Sequence, residues 1–452
     1  MNKNEKIVEA ILSKTEKAFD FEKYKKDELV HRLHPYPAVM IYPIGRLLLE
    51  SVKKEKEIKS VFDPFSGSGT NIVESIYHGC EKATGNDLNP LSEIITRARV
   101  QPLSDEIKRK TLNLNNHLEN LLLEKYWEID NDISRLGISD FDVVKKGGWI
   151  SEGDEIDRFL KDKYEQAYIR NIGYWFKPDI LMKLLYIKKI AKKIDFFTEP
   201  IFLATFSETI RKHSNQRNSE HKLYRMESEK VLKKKGDVFE KFTLLLKENV
   251  KRVENFQSKL EKPYKFDFFS DDTRNLGLED GSFDLVLTSP PYGDSKTTVA
   301  YGQFSRLSLE LTEIENPNVD SLLLGGGKRP EKKQEKSRGF SKSLERTLSV
   351  LEKKDKKRAL EVENFFDDFL TSFKEISRVT KKRGLHFWVV SNRMVRHTSI
   401  PMDKIMIEFS FYSDLSFKGM KKRKITSKRM PVSTHEAKNT MIKESILIFE
   451  KI

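Results

Sequence analysis

Cysteine is almost absent from this chain, since Cys80 is the only one in 452 residues. A single cysteine excludes an internal disulfide framework and any metal site built on a Cys-x-x-Cys pair. The nine histidines are scattered, with no His-Glu-x-x-His motif and no paired metal spacing. The sequence therefore predicts neither a disulfide-stabilised fold nor a bound metal.

Long apolar runs are also missing. No stretch approaches the ~20 residues needed to span a bilayer, and Met1 to Lys6 is too charged for a secretory signal. Charged residues make up 34% of the chain and apolar residues 38%. We therefore expect a cytoplasmic protein without membrane contact, long enough for about two or three domains with sizeable cores.

Acidic residues are outnumbered by basic ones, which gives a net charge of +14. Such an excess favours a polyanionic partner, most simply nucleic acid. Lys328 to Arg358 carries 13 basic residues against 5 acidic ones, and Lys418 to Arg429 carries seven basic residues and no acidic one. The first stretch is either a flexible, solvated insertion or a contact with a nucleic-acid backbone, and we favour the contact.

A strand, a glycine loop and a helix follow one another near the start of the chain. Ser60 to Phe62 reads as a short strand, and an amphipathic helix runs from Asn71 to near Gly79. Glycines between them allow close approach of the backbone to a ligand, and the loop amides and helix N-terminus offer donors. This order is typical of a nucleotide-binding βαβ unit. The loop itself consists of Asp63, Pro64, Phe65, Ser66, Gly67, Ser68, Gly69 and Thr70.

Two later strand ends also carry acidic residues. The strand Lys82 to Asn86 ends at Asp87, about 20 residues after the glycine loop, where a carboxylate accepts hydrogen bonds from ribose hydroxyls. Asp87 is alternatively a helix cap, although Asn89 is the better cap candidate. The strand Tyr264 to Phe269 is followed by Asp272, which is placed to contact an adenine amino group.

Residues 100–262 interrupt the strand–helix alternation with long charged helical patterns, such as Leu103 to Trp127 and Pro178 to Ile194. Within this block, Phe206 to Arg217 and Lys222 to Arg225 combine basic and small polar residues. These stretches suit either phosphate contacts or a solvated helix end. We expect residues 1–99 and 263–452 to form one catalytic domain, with 100–262 as a helical insertion or part of a DNA-reading surface.

A second strand-to-loop junction stands out at Phe283 to Leu287, an apolar, β-branched run that stops in Ser289, Pro290, Pro291 and Tyr292. Two prolines cannot continue a strand, so the chain turns sharply into a stiff loop. Ligands bind at such carboxyl ends in an open α/β sheet. The loop is either a rigid pocket for a planar group or a proline-stiffened surface turn. Residues 293–306 then read as a long polar loop beside it.

The last quarter of the chain returns to alternating elements. We expect a helix over Phe365 to Thr380, ended by Lys381 to Gly384 with Gly384 at the C′ position. A strand over Leu385 to Val390, a helix over Met402 to Phe411 and a final strand over Met441 to Phe449 follow.

Together these motifs resemble those of the S-adenosylmethionine-dependent amino-methyltransferases of DNA, and most closely the cytosine-N4-specific branch. Asp63–Thr70 is similar to the family's methionine-binding loop. Ser289–Tyr292 is similar to its catalytic motif, in the serine form typical of cytosine-N4 enzymes. Asp87 falls at the ribose position, and His34–Pro37 with the following helix resembles the N-terminal cofactor motif.

The resemblance covers roughly residues 30–95 and 264–310 and implies a Rossmann-like class I methyltransferase fold. It implies S-adenosylmethionine as cofactor, double-stranded DNA as partner and a cognate restriction endonuclease as functional partner. The cofactor loop precedes the catalytic loop, as in members with a recognition region between the two halves, although here a basic insertion at about 325–360 follows as well. The implied cofactor-binding residues are Tyr36, Pro37, Asp63, Pro64, Phe65, Ser66, Gly67, Ser68, Gly69, Thr70, Asp87, Asn89 and Asp272, and the implied catalytic residues are Ser289, Pro290, Pro291 and Tyr292.

The resemblance also implies a division of roles. The Ser289 hydroxyl and the Pro290 carbonyl accept the protons of an exocyclic amine, while Tyr292 stacks on a base flipped out of the duplex. Asp63 faces the methionine end of the cofactor. Methylation at cytosine C5 would need a cysteine nucleophile, and Cys80 lies far along the chain from the catalytic loop, so we interpret it as structural or incidental.

Three other functions fit parts of this pattern. Adenine-N6 methylation uses the same loop chemistry. A guanine-N2 methyltransferase of tRNA uses a similar glycine loop and Pro-Pro-Tyr turn. Such enzymes usually carry a separate N-terminal RNA-binding domain, and the roughly 30 residues before the first motif argue against this function. A non-catalytic DNA-binding module is disfavoured by the intact glycines, Asp63, Asp87 and the Ser-Pro-Pro-Tyr loop.

Overall fold

The computed structural model describes residues 1–25, 28–123, 127–218, 221–234, 237–293, 299–315, 318–326, 336–425 and 443–452. The strands are β1 (Ser60–Asp63), β2 (Lys82–Asn86), β3 (Lys265–Phe269), β4 (Phe283–Thr288), β5 (Thr380–Val390), β6 (Arg393–Val395), β7 (Thr398–Ile400), β8 (Leu415–Lys424) and β9 (Lys443–Lys451). The helices are α1 (Lys3–Leu12), α2 (Tyr42–Lys53), α3 (Thr70–Tyr77), α4 (Pro90–Val100), α5 (Asp105–Leu123), α6 (Trp127–Leu136), α7 (Asp140–Val144), α8 (Glu155–Tyr164), α9 (Ile172–Trp175), α10 (Pro178–Lys193), α11 (Pro200–His213), α12 (Ser228–Lys233), α13 (Val238–Gln257), α14 (Tyr301–Leu311), α15 (Val319–Leu322), α16 (Lys342–Lys354), α17 (Lys356–Arg378) and α18 (Met402–Ser410), and a short 3-10 helix spans Glu16–Phe19.

Seven strands form one sheet in the order β3-β2-β1-β4-β5-β9-β8. Neighbouring strands from β3 to β5 pair in parallel, and β9 pairs antiparallel with both β5 and β8. The predicted Rossmann-like α/β fold is therefore confirmed. Because β1, β2 and β4 run in the same direction, the glycine loop, the Asp87 turn and the Ser-Pro-Pro-Tyr loop all leave the same edge of the sheet.

Both faces of the sheet are buried, as a parallel sheet requires. Val61 and Leu285 contribute to a core formed with α2, α3 and the helices between β2 and β3. Phe62 and Val286, one residue along each strand, contribute to a second core with α16, α17 and α18. The alternation follows from the two-residue period of a strand.

The block between β2 and β3 is helical, and Pro178–Lys193 matches the predicted helix closely. The other predicted helix, Leu103 to Trp127, was drawn too long: α5 covers Asp105–Leu123, and Trp127 begins α6, with residues 124–126 outside the described part. In the part of the chain that the structure describes, no helix is long and apolar enough to cross a membrane.

The prediction of a polar loop over residues 293–306 was wrong in its last part. Residues 301–306 belong to helix α14, because Phe304, Leu307 and Leu311 recur at helical spacing and are buried between polar neighbours. Residues 294–298 of that predicted loop lie outside the described residues.

Gly384 does not cap a helix. Helix α17 ends at Arg378, and β5 begins at Thr380 with a register shift against β4. A Cβ at Gly384 would lie 2.5 Å from Cγ2 of Thr380, so glycine is needed here for a close approach within an irregular strand.

Part of the basic stretch from Lys328 to Arg358 is packed rather than loose. Helix α16 buries Leu344, Leu348 and Leu351 against the second core. Residues 327–335, which include the start of this stretch, lie outside the described residues. So do residues 426–442, which include the end of the second basic stretch and the start of the predicted final strand.

Candidate active site

A cavity opens at the carboxyl ends of β1, β2 and β4 and brings together most of the residues singled out from the sequence. The predicted residues that line it are Tyr36, Pro37, Asp63, Pro64, Phe65, Ser66, Gly67, Ser68, Thr70, Asp87, Asn89, Asp272, Ser289 and Pro291. Gly69, Pro290 and Tyr292 are not part of the lining. Asn71, Thr273, Tyr301 and Leu322–Leu324 also line it, although nothing in their local sequence indicated this.

Asp63 connects the glycine loop to the end of β4, from which the Ser-Pro-Pro-Tyr loop leaves. One carboxylate oxygen accepts the Thr288 hydroxyl at 2.6 Å, and the other accepts Asn71 Nδ2 at 2.9 Å. Asn71 Nδ2 also lies 3.2 Å from the carbonyl oxygen of Leu287. Burial raises the pKa of Asp63 to about 6 despite these donors. The carboxylate thus fixes the end of β4, one residue before Ser289, relative to the loop.

Asp87 orders the glycine loop from the side of β2. Its two oxygens accept the backbone N–H groups of Gly67 and Asn89, each at 2.9 Å. Asn89 in turn accepts the N–H of Leu91 and caps α4, as predicted. Burial raises the pKa of Asp87 to about 6. The two bonds leave lone pairs on both oxygens, since a carboxylate accepts about four hydrogen bonds.

Within the described part of the chain, four polar atoms of the loop region are buried and have no hydrogen-bond partner. They are Ser66 Oγ, Ser68 Oγ, Thr70 Oγ1 and Asn71 Oδ1. All four residues line the cavity and are at least nine-tenths buried. Leaving such groups unpaired costs about 1–3 kcal/mol each, so the loop fits a polar ligand that would satisfy them.

The ring of Tyr36 lies over the glycine loop and lines the cavity. Its hydroxyl accepts Asn89 Nδ2 at 3.1 Å, and its ring stacks on Tyr301 with centroids 5.8 Å apart. A Cβ at Gly67 would come within 3.4 Å of this ring, so the glycine keeps the cleft between ring and backbone open.

Asp272 lines the cavity, and its carboxylate is already hydrogen-bonded to Arg274. Arg274 Nη2 donates to it at 2.6 Å, and the same guanidinium donates to Asp368 at 3.0 Å. The predicted contact between Asp272 and an adenine amino group would therefore use the remaining lone pairs of a carboxylate held in place by Arg274.

The Ser-Pro-Pro-Tyr loop holds Ser289 at the cavity. Its hydroxyl lies 2.9 Å from the Val389 carbonyl oxygen and 2.9 Å from the Tyr292 hydroxyl, which itself lies 3.5 Å from the same carbonyl. When the serine proton lies on Val389, Tyr292 donates to Ser289, and one serine lone pair remains for another donor. The partly buried Tyr292 ring packs against the second core.

Helix α14, which follows the Ser-Pro-Pro-Tyr loop in the chain, packs against the helical insertion. The Arg211 guanidinium lies 3.6 Å from the centre of the Phe304 ring and donates to the Phe304 carbonyl at 3.0 Å. Phe304 also packs edge-on against Tyr36 at 5.7 Å. Arg211 is only 7% exposed. Both roles that the sequence allowed for it, a phosphate contact and a solvated helix end, are therefore wrong.

Two further sets of contacts hold α14 against helices α10 and α11 of the insertion. Ser207 of α11 donates to Ser308 at 2.9 Å, and Glu313, just beyond α14, pairs with Lys188 at 2.7 Å and Lys192 at 2.8 Å of α10. The insertion and the segment that follows the catalytic loop therefore form one packed unit.

No protein-family model matches the chain. It is 36% identical over 437 residues to the Type II methyltransferase M.MvaI of Kocuria varians, a match that covers 89% of this chain and 86% of that protein. The match spans both the glycine-loop half and the catalytic-loop half, which the sheet brings to one edge. At this identity and coverage, the chain belongs to the type II DNA methyltransferases.

Proposed function

We propose that the protein transfers a methyl group from S-adenosylmethionine to the N4 amine of a cytosine flipped out of double-stranded DNA, at a specific site. The observation that carries the proposal is the position of Ser289. Its hydroxyl lies 2.9 Å from the Val389 carbonyl, and with the serine proton donated there its oxygen can accept a hydrogen bond from a substrate. A cognate restriction endonuclease is the functional partner that follows from a type II methyltransferase.

An acceptor is what an exocyclic amine needs. The lone pair of the cytosine N4 nitrogen is delocalised into the ring, which makes it a poor nucleophile. Hydrogen bonds from its two protons to Ser289 Oγ and the Pro290 carbonyl would favour a pyramidal nitrogen with a localised lone pair. Pro290 and Pro291 keep the loop rigid. The Tyr292 ring packs on the second core and is only partly buried, so its exposed part would stack on the base.

The cavity residues fit S-adenosylmethionine. When bound, the cofactor supplies a strongly electrophilic methyl group. The unpartnered oxygens of Ser66, Ser68 and Thr70 would hold its polar methionine end beside Asp63. Asp87 would accept the ribose hydroxyls, and the ring of Tyr36 would pack over the ligand.

The product identifies the target atom. We expect double-stranded DNA incubated with the protein and labelled cofactor, then digested to nucleosides, to yield N4-methyldeoxycytidine. N6-methyldeoxyadenosine as the sole product would show that the same loop acts on adenine instead. Product from RNA alone would contradict the DNA assignment. Sequencing the modified DNA would give the recognition site.

Cofactor affinity is expected to fall as the pH drops through about 6. Burial raises the pKa of both Asp63 and Asp87 to about 6, whereas an ordinary aspartate titrates near ~4. Protonation removes the negative charge and part of the acceptor capacity that the cofactor uses. Calorimetric titration of S-adenosylmethionine between pH 8 and 5 would measure the effect.

The variant Asp87→Asn is the control for this pH dependence. We expect it to bind more weakly than wild type at pH 8 and to lose part of the decline at lower pH. An affinity that is constant between pH 7.5 and 5 would contradict the ionised roles of both carboxylates.

A further inference from the structure

A basic projection stands beside the candidate active site, on the side of the sheet that carries the second core. It is defined here as residues Lys353–Lys357, where α16 joins α17, together with Arg396 at the tip of the β6–β7 hairpin. All of these residues belong to the described part of the chain. We propose that the basic projection binds the phosphate backbone of the DNA duplex from which the target base is flipped, an inference that rests on the proposed function.

The basic projection extends beyond the sheet edge from which the Ser-Pro-Pro-Tyr loop leaves. Helix α17 ends near the start of β4, where the Arg378 carbonyl accepts the N–H of Gly281. Further back in the helix, the Phe369 ring lies 6.1 Å from Trp388, which pairs with the last residue of β4. The helix therefore runs antiparallel to β4. Lys356 precedes Phe369 by thirteen residues, which places it about 20 Å beyond the end of the strand along the helix axis.

This position is the one that a bound duplex would border. The cavity opens at the carboxyl ends of β1, β2 and β4, so a base enters it from beyond that edge. The duplex that delivers the base lies on the same side, and the basic projection rises next to it.

The β6–β7 hairpin connects the basic projection to the Ser-Pro-Pro-Tyr loop. At one end of the hairpin, Ile400 lies against Gly293, directly after the loop, since a Cβ at Gly293 would be 3.5 Å from Ile400 Cγ2. At the other end, Arg396 Nε pairs with Asp355 at 3.0 Å. The hairpin thus holds the projection in a fixed position relative to the loop.

The tip of the hairpin keeps two large side chains in an unfavourable backbone conformation. Val395 pairs with Thr398, so Arg396 and His397 form a two-residue turn, with φ +48° and +56°. Asparagine and glycine are preferred in such turns because they tolerate positive φ. Strained residues of other types cluster at functional sites. Here the turn presents the Arg396 side chain, which is 59% exposed although its Nε is paired.

The lysines of the basic projection are not neutralised by the protein. Lys353, Lys356 and Lys357 are exposed and form no ion pair within the described part of the chain. The carboxylates nearby are already paired with arginines: Glu352 with Arg338, Asp355 with Arg396 and Glu361 with Arg358. Exposed lysines without carboxylate partners suit phosphates, which attract them by charge and independently of base sequence.

The test compares two triple variants that remove the same charge. One is Lys353→Ala/Lys356→Ala/Lys357→Ala, and the other is Lys3→Ala/Lys59→Ala/Lys382→Ala, which alters exposed lysines at the amino ends of the strands. Binding of a labelled, mixed-sequence DNA duplex is measured over a salt series without cofactor. We expect the projection variant to bind roughly tenfold or more weakly and to reduce the slope of log Kd against log salt by about 2–3, since each phosphate contact contributes about 0.9. The control variant should keep the wild-type slope within about one.

Lysine modification of the wild-type protein, read residue by residue by mass spectrometry, decides the question if the projection variant fails to fold. The duplex is expected to protect Lys353, Lys356 and Lys357 and to leave Lys59 and Lys382 reactive. Equal slopes for the two triple variants, or equal reactivity of the two sets of lysines in the presence of DNA, would overturn the proposal. Binding is measured without methyl transfer, so N6-methyldeoxyadenosine as the wild-type product, or no methylated product, would count against the proposed function alone.

Discussion

Replacing Ser289 with alanine is expected to lower the rate of methyl transfer to DNA by about 100-fold or more, as loss of a preorganised polar group typically does. The serine oxygen is the acceptor for one amine proton in the proposed reaction, and the Val389 carbonyl, 2.9 Å away, is placed to accept the serine's own proton. Alanine keeps the loop and its prolines but removes the acceptor. Cofactor affinity should change little, since Ser66, Ser68, Thr70 and the two aspartates are untouched.

Single-turnover transfer from labelled S-adenosylmethionine to plasmid DNA measures this effect, with cofactor binding followed separately. The matched control is Tyr292→Phe, which keeps the ring and removes only the hydroxyl 2.9 Å from Ser289. We expect this variant to lose less than about tenfold, as expected for a neutral hydrogen bond of about 1 kcal/mol. Ser289→Ala with a third or more of wild-type activity would rule out the acceptor role.

Gly69→Ala is expected to be the most damaging single change in the cofactor loop, although Gly69 does not line the cavity. Gly69 precedes α3 with φ +75°, and an added Cβ would lie 2.5 Å from Thr96 Cγ2 and 2.9 Å from Thr96 Cβ. Thr96 cannot swing away freely, because its hydroxyl is bonded to the Ser92 carbonyl and the residue is buried. The loop would have to move from its position between Asp63 and Asp87.

The chain offers a matched control for the backbone conformation. Gly153 has φ +76° and nothing within 4 Å of an added Cβ. Gly153→Ala should therefore cost only the left-handed conformation, about 1–2 kcal/mol. Gly69→Ala adds overpacking of about 1–3 kcal/mol and should lower both the thermal midpoint and cofactor affinity. Equal midpoints for the two variants would contradict the steric argument, and Thr96→Ala should partly restore Gly69→Ala.

Local sequence patterns were enough to place the parts of this site that follow strands. The glycine loop, Asp87 and Ser-Pro-Pro-Tyr each follow a predicted strand, and parallel strands bring their carboxyl ends to one edge. Pattern and motif were therefore sufficient to predict the fold and most residues that line the cavity. The roles of these residues in binding and transfer stay predictions.

The roles of Arg211, Phe304 and Tyr301 became clear only from long-range packing. The local pattern allowed either phosphate contacts or a solvated helix end for Arg211, and it indicated a polar loop for Tyr301 and Phe304. Packing between α11 and α14 instead buries the arginine over an aromatic ring. Such long-range pairing has no local signature, because the free energy comes from surfaces almost 100 residues apart in sequence that meet only in the folded chain.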